Sequence, residues 1–165
     1  MQKNLTVYNI IIVVLILSVS GKLSAQVSRD SDLFRKLKTQ DSIFFDRAFN
    51  RCDMNYLASA IDKDLTFYHD KGGIQNRELF LANTQKNICG DTLRKPIRKV
   101  DEQSLEVFPM YNNNVLYGAL QIGIHSFYRR EKGKEDVFSG KAKFIHLYLL
   151  VGERWILKEV ISFDH

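Results

Sequence analysis

The chain has 165 residues, 45% of them hydrophobic and 26% charged, with a formal net charge of +5. That length suits one domain, and the mild basic excess does not gather into one stripe, which argues against a nucleic-acid partner. No phosphate loop, dinucleotide fingerprint or serine nucleophile elbow occurs, so nucleotide-driven and serine-hydrolase chemistry are poor fits.

The first 25 residues read as a signal peptide. Lys3 supplies a positive start, Ile10 to Val19 an apolar stretch, and Leu23-Ser24-Ala25 a small-residue cleavage site before Gln26. The stretch is about ten residues long, whereas a spanning helix needs roughly 20. The expectation is an exported protein, periplasmic or extracellular, with one domain over residues 26–165 and no membrane contact after cleavage. Cys52 and Cys89 would then enter a compartment where disulfides persist. They either form a bridge or lie as two separate buried thiols.

Ser28 to Ser31 is polar and expected to fray. Apolar residues at 34, 37, 44, 45, 48 and 49, with Asp41 between them, make one helical stripe. Asp53 is placed to cap a shorter helix through about Ile61. Leu65 to Asp70 reads as a strand, broken by Lys71-Gly72-Gly73. Asn76 to Cys89 reads as a third helix, with Gly90 just past its end. Ile97 to Val100 and Leu105 to Phe108 are short and β-like, and Asn112-Asn113-Asn114 marks a turn. Val115 to Tyr128, Val137 to Val151 and Trp155 to Phe163 are long strands joined by short polar loops, which favour antiparallel neighbours. Helices followed by a meander is an α+β order. Both faces of the long strands carry apolar residues. Helices are expected to cover one face and a second copy of the chain part of the other, giving a homodimer.

Five stretches share a likeness: Phe67-Tyr-His-Asp-Lys-Gly-Gly73, Ile88-Cys-Gly90, Tyr117 to His125, Ala142-Lys-Phe-Ile-His146-Leu-Tyr148, and Trp155 to His165. Together they resemble the nuclear-transport-factor-2-like superfamily, in particular its small exported, SnoaL-like branch of unknown function. The resemblance implies a cone-shaped, cystatin-like α+β fold. In it a strongly curved antiparallel sheet wraps around N-terminal helices and leaves a cavity at the wide end. That superfamily holds isomerases, dehydratases, epoxide hydrolases, polyketide cyclases and non-catalytic association domains, so the fold does not fix the function.

All four histidines fall in strand-like runs, and neighbouring strands can bring such groups to one spot. His69, His125 and His146 are the candidate catalytic residues, because imidazole titrates near neutral pH. Tyr68, Gln121, Phe144, Tyr148, Trp155 and Glu159 are the ligand-binding candidates around them. Asp70 is expected to cap the turn after His69, and His165 to sit at the pocket rim. Three imidazoles on neighbouring strands can hold zinc, but no H-E-x-x-H or C-x-x-C run accompanies them, and neither a metal nor another cofactor is expected. Arg98-Lys99 and the other basic pairs read as solvated surface. Two functions stay open. One is an exported domain that binds a small, partly apolar molecule, with or without cofactor-free acid–base catalysis of lyase, isomerase or hydrolase type. The other is a non-catalytic protein-interaction or association domain.

Overall fold

The structure is a computed structural model that describes residues 25–91 and 93–165. Apart from Ala25, the leader expected from the sequence lies outside these residues. Among the described residues, no helix is long and apolar enough to cross a membrane.

Helix α1 spans Asp32–Phe44 and starts where Ser31 Oγ accepts the N–H of Phe34 at 3.2 Å. Its buried stripe is Phe34, Leu37, Asp41 and Phe44. The helix then widens into a π-helical segment, Phe45–Asn50, closed by Arg51 N–H to Asp46 O at 2.9 Å. Helix α2 (Met54–Ala60) is capped by Asp53, whose Oδ1 accepts the N–H of Tyr56 at 3.0 Å. Strands β1 (Ile61–His69) and β2 (Gly73–Asn76) follow, and Asn76 caps helix α3 (Arg77–Asn83). A second π-helical segment, Thr84–Ile88, ends this layer. A Cβ on Gly90 would fall 2.3 Å from Lys86 O, so only glycine lets the chain leave here. The two wide turns lead into Cys52 and Cys89, which are joined by a disulfide.

Strands β3 (Arg94–Asn112), β4 (Val115–Glu131), β5 (Val137–Val151) and β6 (Arg154–Phe163) complete a six-stranded sheet of order β2-β1-β6-β5-β4-β3. The long strands pair antiparallel as expected, but β1 runs parallel to β6, so the sheet is mixed. The two short runs expected over 97–108 are one edge strand. Its pairing shifts between Asp101 and Glu106, where Ser104 Oγ takes over as acceptor for the N–H of Ile124 at 2.8 Å. Residues 28–31 are held rather than frayed: the Arg29 guanidinium donates to the carbonyls of Glu102, Gln103 and Leu105. The turn at Asn113-Asn114 has φ of 48° and 63°, the left-handed pair that a tight hairpin needs.

Helices α1 and α2 pack their apolar stripes on one sheet face, where Leu105, Val107, Ala119, Phe144, Tyr148 and Leu157 join a common core. Burial alternates along β4 and β5. Ala119, Gln121, Gly123, His125, Phe144, His146 and Tyr148 are buried under the helices, while Leu120, Ile122, Ile124, Ile145, Leu147 and Leu149 are half-buried on the outer face. In β6 the pairing with β5 skips a residue: Leu147 opposes Glu159 but Tyr148 opposes Leu157. That irregularity resets the alternation. Leu157, Val160 and Ser162 point inward, and Glu159 does not.

Candidate functional site

A cavity of about 440 Å³ lies between the helical layer and the inner sheet face. This is within the size range of small-molecule sites. The first π-helical segment contributes Phe45, Ala48 and Phe49 to its wall, and the second contributes Thr84, Asn87 and Ile88. The disulfide therefore fastens together the ends of both walls. His125 and His146 reach it from the sheet, with Phe127 beside them; His69, Gln75 and Ser162 lie at the β1–β2 end.

Beneath the floor runs a buried polar network. Arg98 is 3% exposed and Asp41 is fully buried. Arg98 Nη1 donates to Asp41 Oδ2 at 2.8 Å and Nη2 to Oδ1 at 3.0 Å, the bidentate fork that suits guanidinium and carboxylate. β3 is an edge strand, so the backbone at Arg98 needs outside partners. Asn50 supplies them: its Oδ1 accepts the Arg98 N–H at 2.9 Å and its Nδ2 donates to Arg98 O at 3.0 Å. The guanidinium carbon also lies 3.5 Å from the centre of the Phe45 ring.

Arg98 fixes the state of His125. Its Nε–H donates to His125 Nδ1 at 2.9 Å. An arginine has no lone pair to offer, so Nδ1 must be the acceptor and the proton of the neutral ring sits on Nε2. Burial, with Arg98 alongside, pushes His125 down to about 2. Its Nε2–H has no hydrogen-bond partner among the described residues. His146 is also neutral, held well below its ordinary value by burial and then by Arg98. Its Nδ1 lies 3.7 Å from Asp41 Oδ1, too far for a hydrogen bond, and has no hydrogen-bond partner among the described residues, so no hydrogen bond at Nδ1 fixes its tautomer. Phe144 separates the two imidazoles, stacked at 5.1 Å from His125 and 4.2 Å from His146.

At the β1–β2 end the expected roles of His69 and Asp70 are exchanged. His69 Nδ1 caps the turn, accepting the N–H groups of Lys71 at 3.1 Å and Gly72 at 3.0 Å. Asp70 instead binds His165, with Oδ1 2.7 Å from Nδ1. Asp164 has a left-handed φ of 65°, which turns the chain end back toward the sheet. The His165 ring stacks on His69 at 4.3 Å, and its Nε2 lies 3.3 Å from Ser162 Oγ. His69, Asp70 and His165 bring ligand-type atoms within 4.8 Å of one another. The hydrogen bonds just described occupy Nδ1 of both rings and Asp70 Oδ1, so the group reads as a hydrogen-bond cluster rather than a cation site.

The structure thus gathers His69, His125 and His146 around one cavity. It corrects several of the ligand-binding candidates. Tyr68 is 38% exposed, on the opposite face of β1 from Phe67 and His69. Glu159 faces outward because of the β6 irregularity. Trp155 lies along α1 in a separate surface groove with Gln40 and Ile43. Gln121, Phe144 and Tyr148 point inward but are fully buried below the floor, without reaching the cavity. Burial, with Asp41 nearby, raises the Tyr148 phenol well above its ordinary value, so it stays protonated. Arg98, read from the sequence as surface, is a core residue. Asp41 and Ser162 were not singled out from the sequence. The one visible signal was Asp41, a carboxylate falling on the stripe position between Leu37 and Phe44.

No protein-family model and no curated protein matches the sequence. Solved structures do match the fold. An NTF-2 like protein of unknown function from Shewanella oneidensis MR-1 superposes with a TM-score of 0.53 at 19% identity, over 79% of this chain and 98% of that one. A protein from Catenulispora acidiphila in complex with S-DNPA gives 0.61 at 7% identity, over 79% and 92%. A putative calcium/calmodulin dependent protein kinase II association domain from Xanthomonas campestris gives 0.61 at 12% identity, over 84% and 93%.

Proposed function

We propose that this chain is an exported domain that binds a small, partly apolar molecule in the aromatic cavity, with an acceptor oxygen of that molecule on His125 Nε2–H. The observation that carries the reading is the fixed tautomer of His125. Arg98 commits one nitrogen and leaves the other as a buried N–H donor on the cavity wall. A dry donor of that kind favours a carbonyl or similar oxygen over a purely apolar guest. The ligand-bound Catenulispora protein supports small-molecule binding by analogy of fold. The Cys52–Cys89 disulfide supports export, since such bonds persist outside the cytosol.

Any acid–base step in this site divides the imidazoles by role. His125 and His69 each have Nδ1 committed as an acceptor, so both present N–H groups and orient or polarise a substrate. His146 is the imidazole of the three whose Nδ1 no hydrogen bond commits, so in this reading it is the base. No cofactor is invoked.

Titration with acetophenone, an apolar ring bearing one acceptor oxygen, tests the binding reading. The His125 Nε2–H resonance is expected to shift in nitrogen–proton spectra, and Ala48→Phe, which fills the cavity, to abolish the shift. An unchanged resonance at saturating ketone would end this reading. For export, N-terminal sequencing of secreted protein is expected to start at Gln26, and intact leader on soluble protein contradicts it.

The association reading draws on the outer sheet face. Ile122, Ile145, Ile161 and Tyr68 stand in register across four strands and are all partly or well exposed. A second copy of the chain is the proposed partner, so that small-molecule binding and dimerisation use opposite faces of one sheet.

A further inference from the structure

The geometry points to an acyl-transfer site at the rim of the cavity, in which Ser162 Oγ is the nucleophile, His165 its general base and Asp70 the residue that positions His165. The inference rests on the small-molecule reading of the cavity and names its substrate class: esters whose acyl group is apolar enough to enter it.

The hydrogen-bond directions are set by chemistry. A carboxylate only accepts, so at 2.7 Å from Asp70 Oδ1 the Nδ1 of His165 is the donor. The neutral ring then has its lone pair on Nε2, 3.3 Å from Ser162 Oγ, where it accepts the hydroxyl proton. The carboxylate–imidazole–hydroxyl order is that of a nucleophilic triad. Ser162 is 5% exposed and is one of the residues that line the cavity, which puts it beside the space where a substrate would lie. The backbone holds the three together: Asp70 N–H donates to Ser162 O at 3.1 Å, and His165 N–H to Asp70 Oδ2 at 3.3 Å. Lys143 Nζ anchors the turned Asp164 at 2.9 Å. His69 stands opposite Ser162 in the β1–β6 register with its Nε2–H free of the turn, a donor for a developing oxyanion. The residues come in the order Asp70, Ser162, His165, in the turn after β1, on β6 and past the end of β6, so no local motif announces them.

In the step itself, His165 Nε2 takes the proton of Ser162 as Oγ bonds to the ester carbon. The tetrahedral intermediate collapses by breaking the bond to the alcohol oxygen, which receives that proton. Water then attacks the acyl-serine with His165 again as base, releasing the carboxylic acid and restoring the hydroxyl. The titratable and charged groups around His165 are Asp70 and His69 at the β1–β2 turn, His125 on β4, and the neighbouring Asp164 with its partner Lys143 on β5.

The test uses the full mature chain, a fluorophosphonate probe with peptide mapping, and p-nitrophenyl butyrate turnover. A single phosphonyl adduct on Ser162 is expected, absent in Ser162→Ala. His165→Ala should slow labelling at least about 100-fold. Asp70→Asn should slow it as well, and Asp70→Glu, which keeps a carboxylate for His165 Nδ1, should restore most of the rate; a merely structural Asp70 would leave labelling of the folded Asn variant unchanged. Anilinonaphthalene sulfonate fluorescence reports the cavity in every variant. Dye binding with Ser162 unlabelled in wild-type protein overturns the triad and leaves the binding reading standing; loss of both removes both. Where a variant fails to fold, adduct mapping on the wild-type chain decides.

Discussion

Arg98 and Asp41 are 57 positions apart, and their double hydrogen bond ties the edge strand β3 to the middle of α1 below the cavity floor. Both side chains are almost wholly desolvated. Removing one partner leaves the other charge buried and alone, which typically costs about 3–5 kcal/mol. Arg98→Met should fall in that range in urea unfolding, and also release His125 Nδ1. The double variant Asp41→Leu with Arg98→Met should recover most of the loss, because an apolar pair has no desolvation penalty. A double variant no more stable than Arg98→Met would show that the network holds the fold by something other than charge pairing.

Acid should unfold the protein through its buried imidazoles. His125 is held down to about 2 and His146 well below 6.5, whereas unfolded imidazoles titrate at their ordinary value of 6.5. Below 6.5 the unfolded chain binds protons that the native chain refuses, so stability is full above that pH and falls as pH drops. Each imidazole contributes a slope of about 1.4 kcal/mol per pH unit there. Between roughly pH 6 and 4.5 carboxylates add little, so His125→Gln, which keeps an acceptor for Arg98, should remove one imidazole's share of the slope. Urea unfolding at a series of pH values measures it. An unchanged slope would mean that His125 is charged in the native state.

Gly123 sits directly opposite Phe144 in the β4–β5 register. A Cβ there would lie 2.8 Å from Phe144 Cζ and 2.9 Å from Leu105 Cδ2. The missing side chain is what lets the Phe144 ring lie between His125 and His146. Gly123→Ala should therefore cost about 1–3 kcal/mol by overpacking, and displace both histidine ring resonances together. A well-folded variant with unmoved imidazoles would show that Phe144 has slack.

The strand and helix order was legible because periodicity carries it: the α1 stripe, the Asp53 cap and the three long strands β4, β5 and β6 all follow from spacing, while the broken register of β3 made one strand look like two short ones. The same spacing put His69, His125 and His146 on strands, but which face of the sheet each one occupies was not readable from it. What periodicity misses is a change of phase. One skipped pairing in β6 turned Glu159 outward and Ser162 inward, and no residue type marks that position. Long-range pairing was equally silent. Arg98 looks like a surface residue beside Lys99 until Asn50 and Asp41 arrive from the helical layer. His69 and Asp70 exchanged roles because the partner of Asp70, His165, is 95 positions away.

The disulfide gives a separate handle on the cavity. It joins the ends of the two π-helical walls across 37 positions, and a loop of that size is worth about 3–4 kcal/mol of restricted unfolded chain. Cys52→Ser with Cys89→Ser should lose about that much, and dye binding in the cavity should weaken more than the global loss explains, because both walls are released. Thiol titration of denatured, unreduced wild-type protein should find no free thiol; two would remove the bridge.

The outer face of the sheet gives the last prediction. Ile145 pairs with Ile122 on one side and Ile161 on the other, and Ile161 with Tyr68, so the row crosses β4, β5, β6 and β1 without a charge. Apolar rows of this length on a sheet face are ordinarily covered. A two-fold partner would bring the row against its own copy, which makes Ile145 central and self-facing. Ile145→Lys would then set two ammonium groups against each other in a dry interface while leaving the inner face and its cavity untouched. Sedimentation at micromolar concentration should show a dimer for the wild type and a monomer for the variant, with acetophenone binding retained in both. A monomeric wild type would remove the dimer and leave the row to another partner.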